Sequence, residues 1–174
     1  VIVRLLILIL LCLLSSDVSA APAPVSFHRL SSSDGLPQNT ARALLQDSTG
    51  FIWIGTEDGL VRFDGYDVRP FRKQHNNPAS LSDNYVSALA EDPAGRIWAG
   101  TMGGGLNLIL PGSLQVIRIQ ELSSADVFAI TANPHGEEIW LGTDSGLHRL
   151  RITTHDGREP SVVLEKMNVT LPDG

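Results

Sequence analysis

Cysteine is nearly missing from this 174-residue chain: Cys12 stands alone. One cysteine forms no internal disulfide, and with no Cys/His cluster of zinc spacing the sequence offers no metal site of that kind. Positive charge is short as well, with 13 Lys plus Arg against 19 Asp plus Glu and a net charge of -6. Phosphate neutralisation needs clustered cations, so nucleic acid is excluded as the expected partner. Aromatic residues make up 6% of the chain, yet three of the few are Trp. Long apolar runs are limited to one, Leu5 to Leu14. At ten residues it is half of what crossing a bilayer needs. What remains, a 43% hydrophobic chain with mixed charge, is the composition of a folded globular protein.

The apolar run has Arg4 before it and Val18-Ser19-Ala20 after it, which is the layout of a secretory signal with cleavage after Ala20. Residues 1–20 are therefore read as a signal peptide, and 21–24, Ala-Pro-Ala-Pro, as a short extended spacer. An uncleaved anchor that uses Val1 to Leu14 is the alternative. The exported chain would carry no cysteine.

Beyond the spacer the sequence repeats. Asp47-Ser48-Thr49-Gly50-Phe51-Ile52-Trp53-Ile54-Gly55-Thr56-Glu57-Asp58-Gly59-Leu60 returns as Asp92-Pro93-Ala94-Gly95-Arg96-Ile97-Trp98-Ala99-Gly100-Thr101 with Gly105-Leu106 following. A third copy runs from Asn133 through Ile139-Trp140-Leu141-Gly142-Thr143 to Gly146-Leu147. The tryptophans recur at intervals of 45 and 42 residues, a period at which four-stranded propeller blades repeat. Leu36, Leu81 and Leu122 hold the same register, each eleven residues upstream of the Asp or Asn.

Each unit reads as four short strands. In the second copy they are Tyr85 to Glu91, Arg96 to Thr101, Leu106 to Leu110 and Leu114 to Ile119, separated by Gly/Pro/Asp turns. No helix is needed after the signal. Ala43, Ala88 and Ala129 fall in the first strand, where blades converge on a channel. Trp53, Trp98 and Trp140 are expected in the core, and Gly55, Gly100 and Gly142 mark close backbone approach. Thr56, Thr101 and Thr143, with Gly59, Gly105 and Gly146, complete the structural repeat.

The unit Asp-x-x-Gly-x-Ile-Trp-x-Gly-Thr-x-x-Gly-Leu resembles the repeat of the two-component regulator propeller family. The resemblance spans Val25 to about Leu150. It implies an all-β fold: three complete four-stranded antiparallel blades of a larger, incomplete propeller, following a signal peptide. It places blade 1 at 36–80, blade 2 at 81–121, blade 3 at 122–166 and the start of a further blade at 167–174. Residues 25–35 hold a strand, Ser26 to Leu30, that would close the ring by pairing with the last blade. The resemblance also implies a periplasmic sensor region whose partners are the remaining blades of a longer protein. That protein would be anchored in the inner membrane, dimeric through membrane-proximal parts, and would end in a histidine kinase or a diguanylate cyclase. This chain itself is expected to be non-enzymatic and to need no cofactor or metal.

Function is expected on the face that carries the turn before the first strand and the turn between the second and third strands. Those turns supply Gln38 and Asn39 with Glu57 and Asp58, Asp83 and Asn84 with Met102, and Asp144. They vary while the strand positions repeat, and loops on a rigid scaffold carry function. A small molecule or an oligosaccharide is the expected ligand. On the opposite face Asp47-Ser48-Thr49-Gly50 reads as a turn, with calcium as its alternative use. The five histidines share no motif and none pairs with a serine in a nucleophile turn. A secreted propeller lyase or quinone-dependent enzyme, and a stand-alone interaction propeller, are the other classes. The lyase or quinone enzyme requires convergent His and Glu or a Trp free to stack a cofactor.

Overall fold

A computed structural model describes residues 27, 29–153 and 160–167. The signal segment, the spacer, Cys12, His28, His155 and the start of a further blade after Met167 lie outside these residues. The described chain is all-β: β1 (Ala41–Gln46), β2 (Ile52–Thr56), β3 (Gly59–Phe63), β4 (Val68–Phe71), β5 (Val86–Glu91), β6 (Ile97–Thr101), β7 (Gly105–Ile109), β8 (Val116–Ile119), β9 (Val127–Ala132), β10 (Glu138–Thr143), β11 (Gly146–Thr153) and β12 (Ser161–Lys166). Two single-turn 3-10 segments, Ser32–Asp34 and Gln120–Leu122, precede the first and third sheets. Among the described residues no helix is long and apolar enough to cross a membrane.

The strands form three antiparallel meanders of four, β1 to β4, β5 to β8 and β9 to β12. Short turns with Asp and Gly between strands of opposite direction dictate this order. The strands of the second copy begin and end within two residues of the sequence reading. Of the expected strand at Ser26 to Leu30, Phe27, Arg29 and Leu30 are described and irregular, and Leu30 packs on Leu36, Ile54 and Val61.

The core lies between the sheets. Trp53 and Leu60 of the first sheet pack on Val86, Ile97, Ala99 and Ile109 of the second, with Leu81 between them. Trp98, Leu106 and Leu108 of the second pack on Val127, Ile139, Leu141 and Leu150 of the third, with Leu122 between them. The middle strands β6 and β7 are buried on both faces, which is why they read as mainly small and apolar, with the hydrogen-bonded Asn107 as the polar residue inside β7. Trp53 and Trp98 are 2% and 0% exposed. Each contributes on the order of 3 kcal/mol by burial. Trp140, expected in the core with them, is half-buried and lies under the Arg149 guanidinium at 5.8 Å. The three alanines also differ: Ala88 is buried, Ala43 half-buried and Ala129 exposed, because only β5 has a described sheet on each side.

Two glycines explain how closely the sheets stack. A Cβ on Gly55 would lie 2.8 Å from Val86 Cγ1 and 2.9 Å from its carbonyl oxygen. One on Gly100 would lie 2.5 Å from Val127 Cγ1. The glycine two residues after Trp53 and after Trp98 is thus the point where the next sheet's first strand crosses.

Every first strand carries a β-bulge at the same place. The register skips between Ala41 and Ala43, between Val86 and Ala88, and opposite the Gly142–Thr143 step, leaving Arg42, Ser87 and Phe128 as the extra residues. Bulges bend a strand and re-aim its side chains. Here they turn the start of β1, β5 and β9 toward the turn that joins the second and third strands.

Candidate functional site

That turn is shaped by the Gly-Thr-x-x-Gly part of the repeat. Thr56 Oγ1 donates to the Gly59 carbonyl at 2.9 Å, Thr101 to that of Gly105 at 2.8 Å, and Thr143 to that of Gly146 at 3.0 Å. Gly59, Gly105 and Gly146 all have positive φ. With the ends pinned, the residues between them are displayed outward.

Hydrogen bonds then assemble the expected loop residues in neighbouring pairs. Gln38 Nε2 donates to Glu57 Oε2 at 3.0 Å, and the Glu57 amide donates back to Gln38 Oε1 at 3.3 Å. Asn84 Nδ2 reaches Asp58 Oδ1 at 3.3 Å across the boundary of the first two sheets. Asp83 accepts the Tyr85 amide at 3.1 Å, and the Met102 amide donates to the Tyr85 carbonyl at 3.0 Å. Asp144 accepts the Asp126 amide at 3.2 Å. Asn39 turns away from this set and accepts the Ser32 amide at 2.7 Å.

Three acidic residues of this face, Glu57, Asp58 and Asp83, are held in ion pairs. Glu57 accepts Arg42 Nε at 2.8 Å and pairs with its Nη2 as well. Arg42, with Gln38 behind it, holds the Glu57 carboxyl below its usual range. Asp58 pairs with Arg72 at 2.6 Å and Asp83 with Lys73 at 3.2 Å. Among the described residues no three His, Cys, Asp or Glu side chains gather to hold a metal ion. The face is instead a mosaic of paired charges, amides and hydroxyls, which suits a neutral polar ligand better than a bare ion.

Sequence reasoning missed the cations of this mosaic. Arg42 is placed by the bulge, and its guanidinium stands 5.7 Å from the Tyr85 ring centroid. Arg118, on β8, holds the link between the first two sheets: it donates to the carbonyls of Ser80, Asn77 and Leu81 at 2.9, 2.9 and 3.0 Å and to Ser80 Oγ at 3.0 Å. Neither residue belongs to a repeated motif, so no sequence signal marks them. One histidine does meet a serine: His148 Nε2 lies 2.9 Å from Ser145 Oγ. Its Nδ1 has no partner among the described residues, so the acid that orients a catalytic imidazole is lacking there.

The opposite face holds a larger groove, about 500 Å³, between the first two sheets, lined by Phe51, Trp53, Arg62, Pro111 and Leu114 among others. Its Asp47 is fully engaged: Oδ1 accepts the Thr49 amide and hydroxyl and the Phe51 amide at 3.0, 2.7 and 2.9 Å, and Oδ2 accepts Trp53 Nε1 at 2.8 Å. Burial raises the Asp47 pKa, but the Trp53 and Thr49 hydrogen bonds outweigh it and the net shift is downward. Asp92 repeats the pattern, accepting the Ala94 and Arg96 amides at 3.0 Å each, Arg96 Nε at 2.6 Å and Trp98 Nε1 at 2.9 Å. These carboxylates fold their turns and anchor the indoles. Trp53 and Trp98, buried and bonded, are also unavailable to stack a cofactor.

Comparison with known proteins agrees with this architecture. Residues 35–58 and 80–103 match the two component regulator propeller family. A histidine kinase of Formosa agariphila is 32% identical over 74 residues, which is 42% of this chain and 5% of that protein. The extracellular domain of a putative hybrid two component system of B. thetaiotaomicron superposes with a TM-score of 0.65 at 29% identity, over 71% of this chain and 18% of that one. A surface component of the type-IX secretion system of Porphyromonas gingivalis shares the fold at 21% identity, with a TM-score of 0.52 over 63% of this chain and 17% of that one. The chain spans less than a fifth of each.

Proposed function

Since the chain carries repeats of the two-component regulator propeller family, we propose that it is the ligand-sensing propeller region, exported to the periplasm, of a membrane-anchored sensor with a histidine kinase as output. The observation that carries this reading is a constant frame with a variable face. Asp/Asn, Trp, Gly and Thr repeat in all three sheets, while the turns they hold present Gln38, Glu57, Asp58, Asn84 and Asp144 in paired, outward positions. A ligand on that face would act by its different affinity for two arrangements of the whole receptor. Dimerisation through parts closer to the membrane, further blades, and an oligosaccharide or other small polar ligand belong to the same proposal.

Two measurements test it. Reading the coding DNA past Gly174 should reveal more Trp-x-Gly-Thr units, then a stretch of about 20 apolar residues and a kinase segment. A cyclase in that place would change the output, and an immediate stop codon would overturn the sensor reading. A fusion of alkaline phosphatase after residue 166 should be active only when exported; an inactive, cytoplasmic fusion would refute the location.

A further inference from the structure

One cross-strand position is filled differently in each sheet. Three residues after Gly59, Gly105 and Gly146 stand Arg62, Leu108 and Arg149. In the second sheet Leu108 lies opposite Ile117, an apolar pair. In the third Arg149 lies opposite Glu165 and pairs with it at 2.5 Å. In the first Arg62 lies opposite Arg69. Like charges directly opposite each other on a sheet are destabilising. Among the described residues neither of these two guanidinium groups has a carboxylate partner.

Both arginines are held in place by rings instead. Arg62 stands 4.1 Å from the Phe51 centroid and Arg69 5.7 Å from that of Phe71. Arg62 also pairs in register with Trp53, so the two cations share the sheet face that meets the second sheet. There Arg62 lines the groove of about 500 Å³ between the two sheets. The groove's reachable walls are apolar: Phe51, Leu110 and Leu114 are half-buried, and Pro93 and Pro111 are exposed. We propose that this groove binds a small organic monocarboxylate, with the carboxylate on Arg62 and Arg69 and the apolar body against Phe51 and Leu114.

The class follows from the charges. A carboxylate supplies to Arg62 and Arg69 what Glu165 supplies to Arg149, and the planar guanidinium fork matches its two oxygens. The protein's own acids nearby are engaged by neutral donors. Asp64, close enough to feel Arg62, accepts the Tyr66 and Asp67 amides on Oδ1 at 2.8 and 2.7 Å. Glu91 accepts the Ser48 amide and hydroxyl at 2.8 and 2.5 Å, and Asp47 is held in its turn. Glu91 and Asp47 line the same groove, so a second negative charge on the ligand would be repelled. Few polar groups at one edge of an apolar cleft is the usual makeup of a small-molecule site.

The full chain, labelled with nitrogen-15, is titrated with phenylacetate and with octanoate while arginine Nε and backbone amide signals are followed by NMR. Saturable movement of Arg62 and Arg69 Nε, together with the amides of 49–51 and of Leu110 and Leu114, is expected. Acetate lacks the apolar body and phenylacetamide lacks the charge, so each should bind about tenfold or more weakly. Arg62→Leu, which copies the second sheet, should lose binding to the same degree. Arg69→Glu, which copies the Arg149–Glu165 pair of the third, should lose it too while raising the thermal midpoint, so that loss of binding there is not loss of fold. Linear, unsaturable shifts with both carboxylates, equal binding of phenylacetamide and phenylacetate, or undiminished binding by Arg69→Glu would overturn the site. The sensor reading stands apart from it: saturable shifts around Glu57 and Asn84 alone would remove this site and leave the loop face in place.

Discussion

Trp98 Nε1 donates to Asp92 Oδ2 at 2.9 Å, six residues back in the same chain. Trp53 and Asp47 form the identical bond at 2.8 Å. The Asp that opens the repeat and its Trp therefore meet, and the carboxylate that caps the turn also anchors the largest core side chain. In the third unit Asn133 replaces the Asp, and Trp140 makes no such bond among the described residues.

Asp92→Ala removes the acceptor of the Trp98 indole and one partner of the buried Arg96, and should cost about 3–5 kcal/mol. Asp92→Asn keeps the turn but loses charge and should cost about 1–3 kcal/mol. Urea unfolding followed by Trp fluorescence measures both, and an Asp92→Asn variant as stable as the wild type would show that the charge contributes nothing.

Gly100→Ala drives a methyl into Val127 and should destabilise by about 1–3 kcal/mol, the usual range for overpacking. Gly55→Ala should behave alike against Val86. Gly142→Ala, whose Cβ meets only Ala129 Cβ at 3.6 Å among the described residues, should change thermal stability little in this chain. Matching losses at all three positions would contradict the close-crossing account.

Arg118→Lys cannot supply the four hydrogen bonds that tie down Asn77 to Leu81. Faster amide exchange is expected from 77 to 85, the segment that carries Asp83 and Asn84, with the β5 to β8 ladder protected as before. Unchanged exchange there would mean that the link holds itself.

Two titrations should both lower stability as the pH falls. Glu57 is held below the ordinary carboxylate value by Arg42 and then Gln38, so its contribution is present above that value and fades as pH falls through the folded pKa. Arg42→Ala should move the Glu57 carboxyl titration upward in NMR. His148 is lowered from 6.5 by burial, so the unfolded chain takes up its proton first and stability declines as pH drops below about 6.5. His148→Asn should flatten that decline; a decline of the same depth would assign it to other groups.

Most of the fold is legible because the repeat encodes it locally. The Asp-to-Gly turn, the Trp, the Gly-Thr step and the closing Gly each fix one strand end, and three copies average out ambiguity at any one of them. Half-burial of Trp140 and exposure of Ala129 were hidden because they depend on which sheets flank a strand, and the repeat is silent on that. The loop face was legible as a set of turns, but its electrostatics were not. Glu57 and Asp58 look open in sequence, and only the bulge at Arg42 and the return of β4 into Arg72 bring cations to them.

The glycine that receives the next sheet's valine makes each junction a socket with a direction. The second unit has both a plug at its start, Val86, and a recess after its tryptophan, Gly100, while the first supplies the recess Gly55 and the third the plug Val127. Any unit with both ends can follow any other, so gain or loss of whole units of about 45 residues leaves the joints intact. A single inserted residue between Trp and Gly would misalign plug and recess and unseat everything downstream. Arrays built this way change size in whole modules, and specificity can drift in the turns without renegotiating the joints.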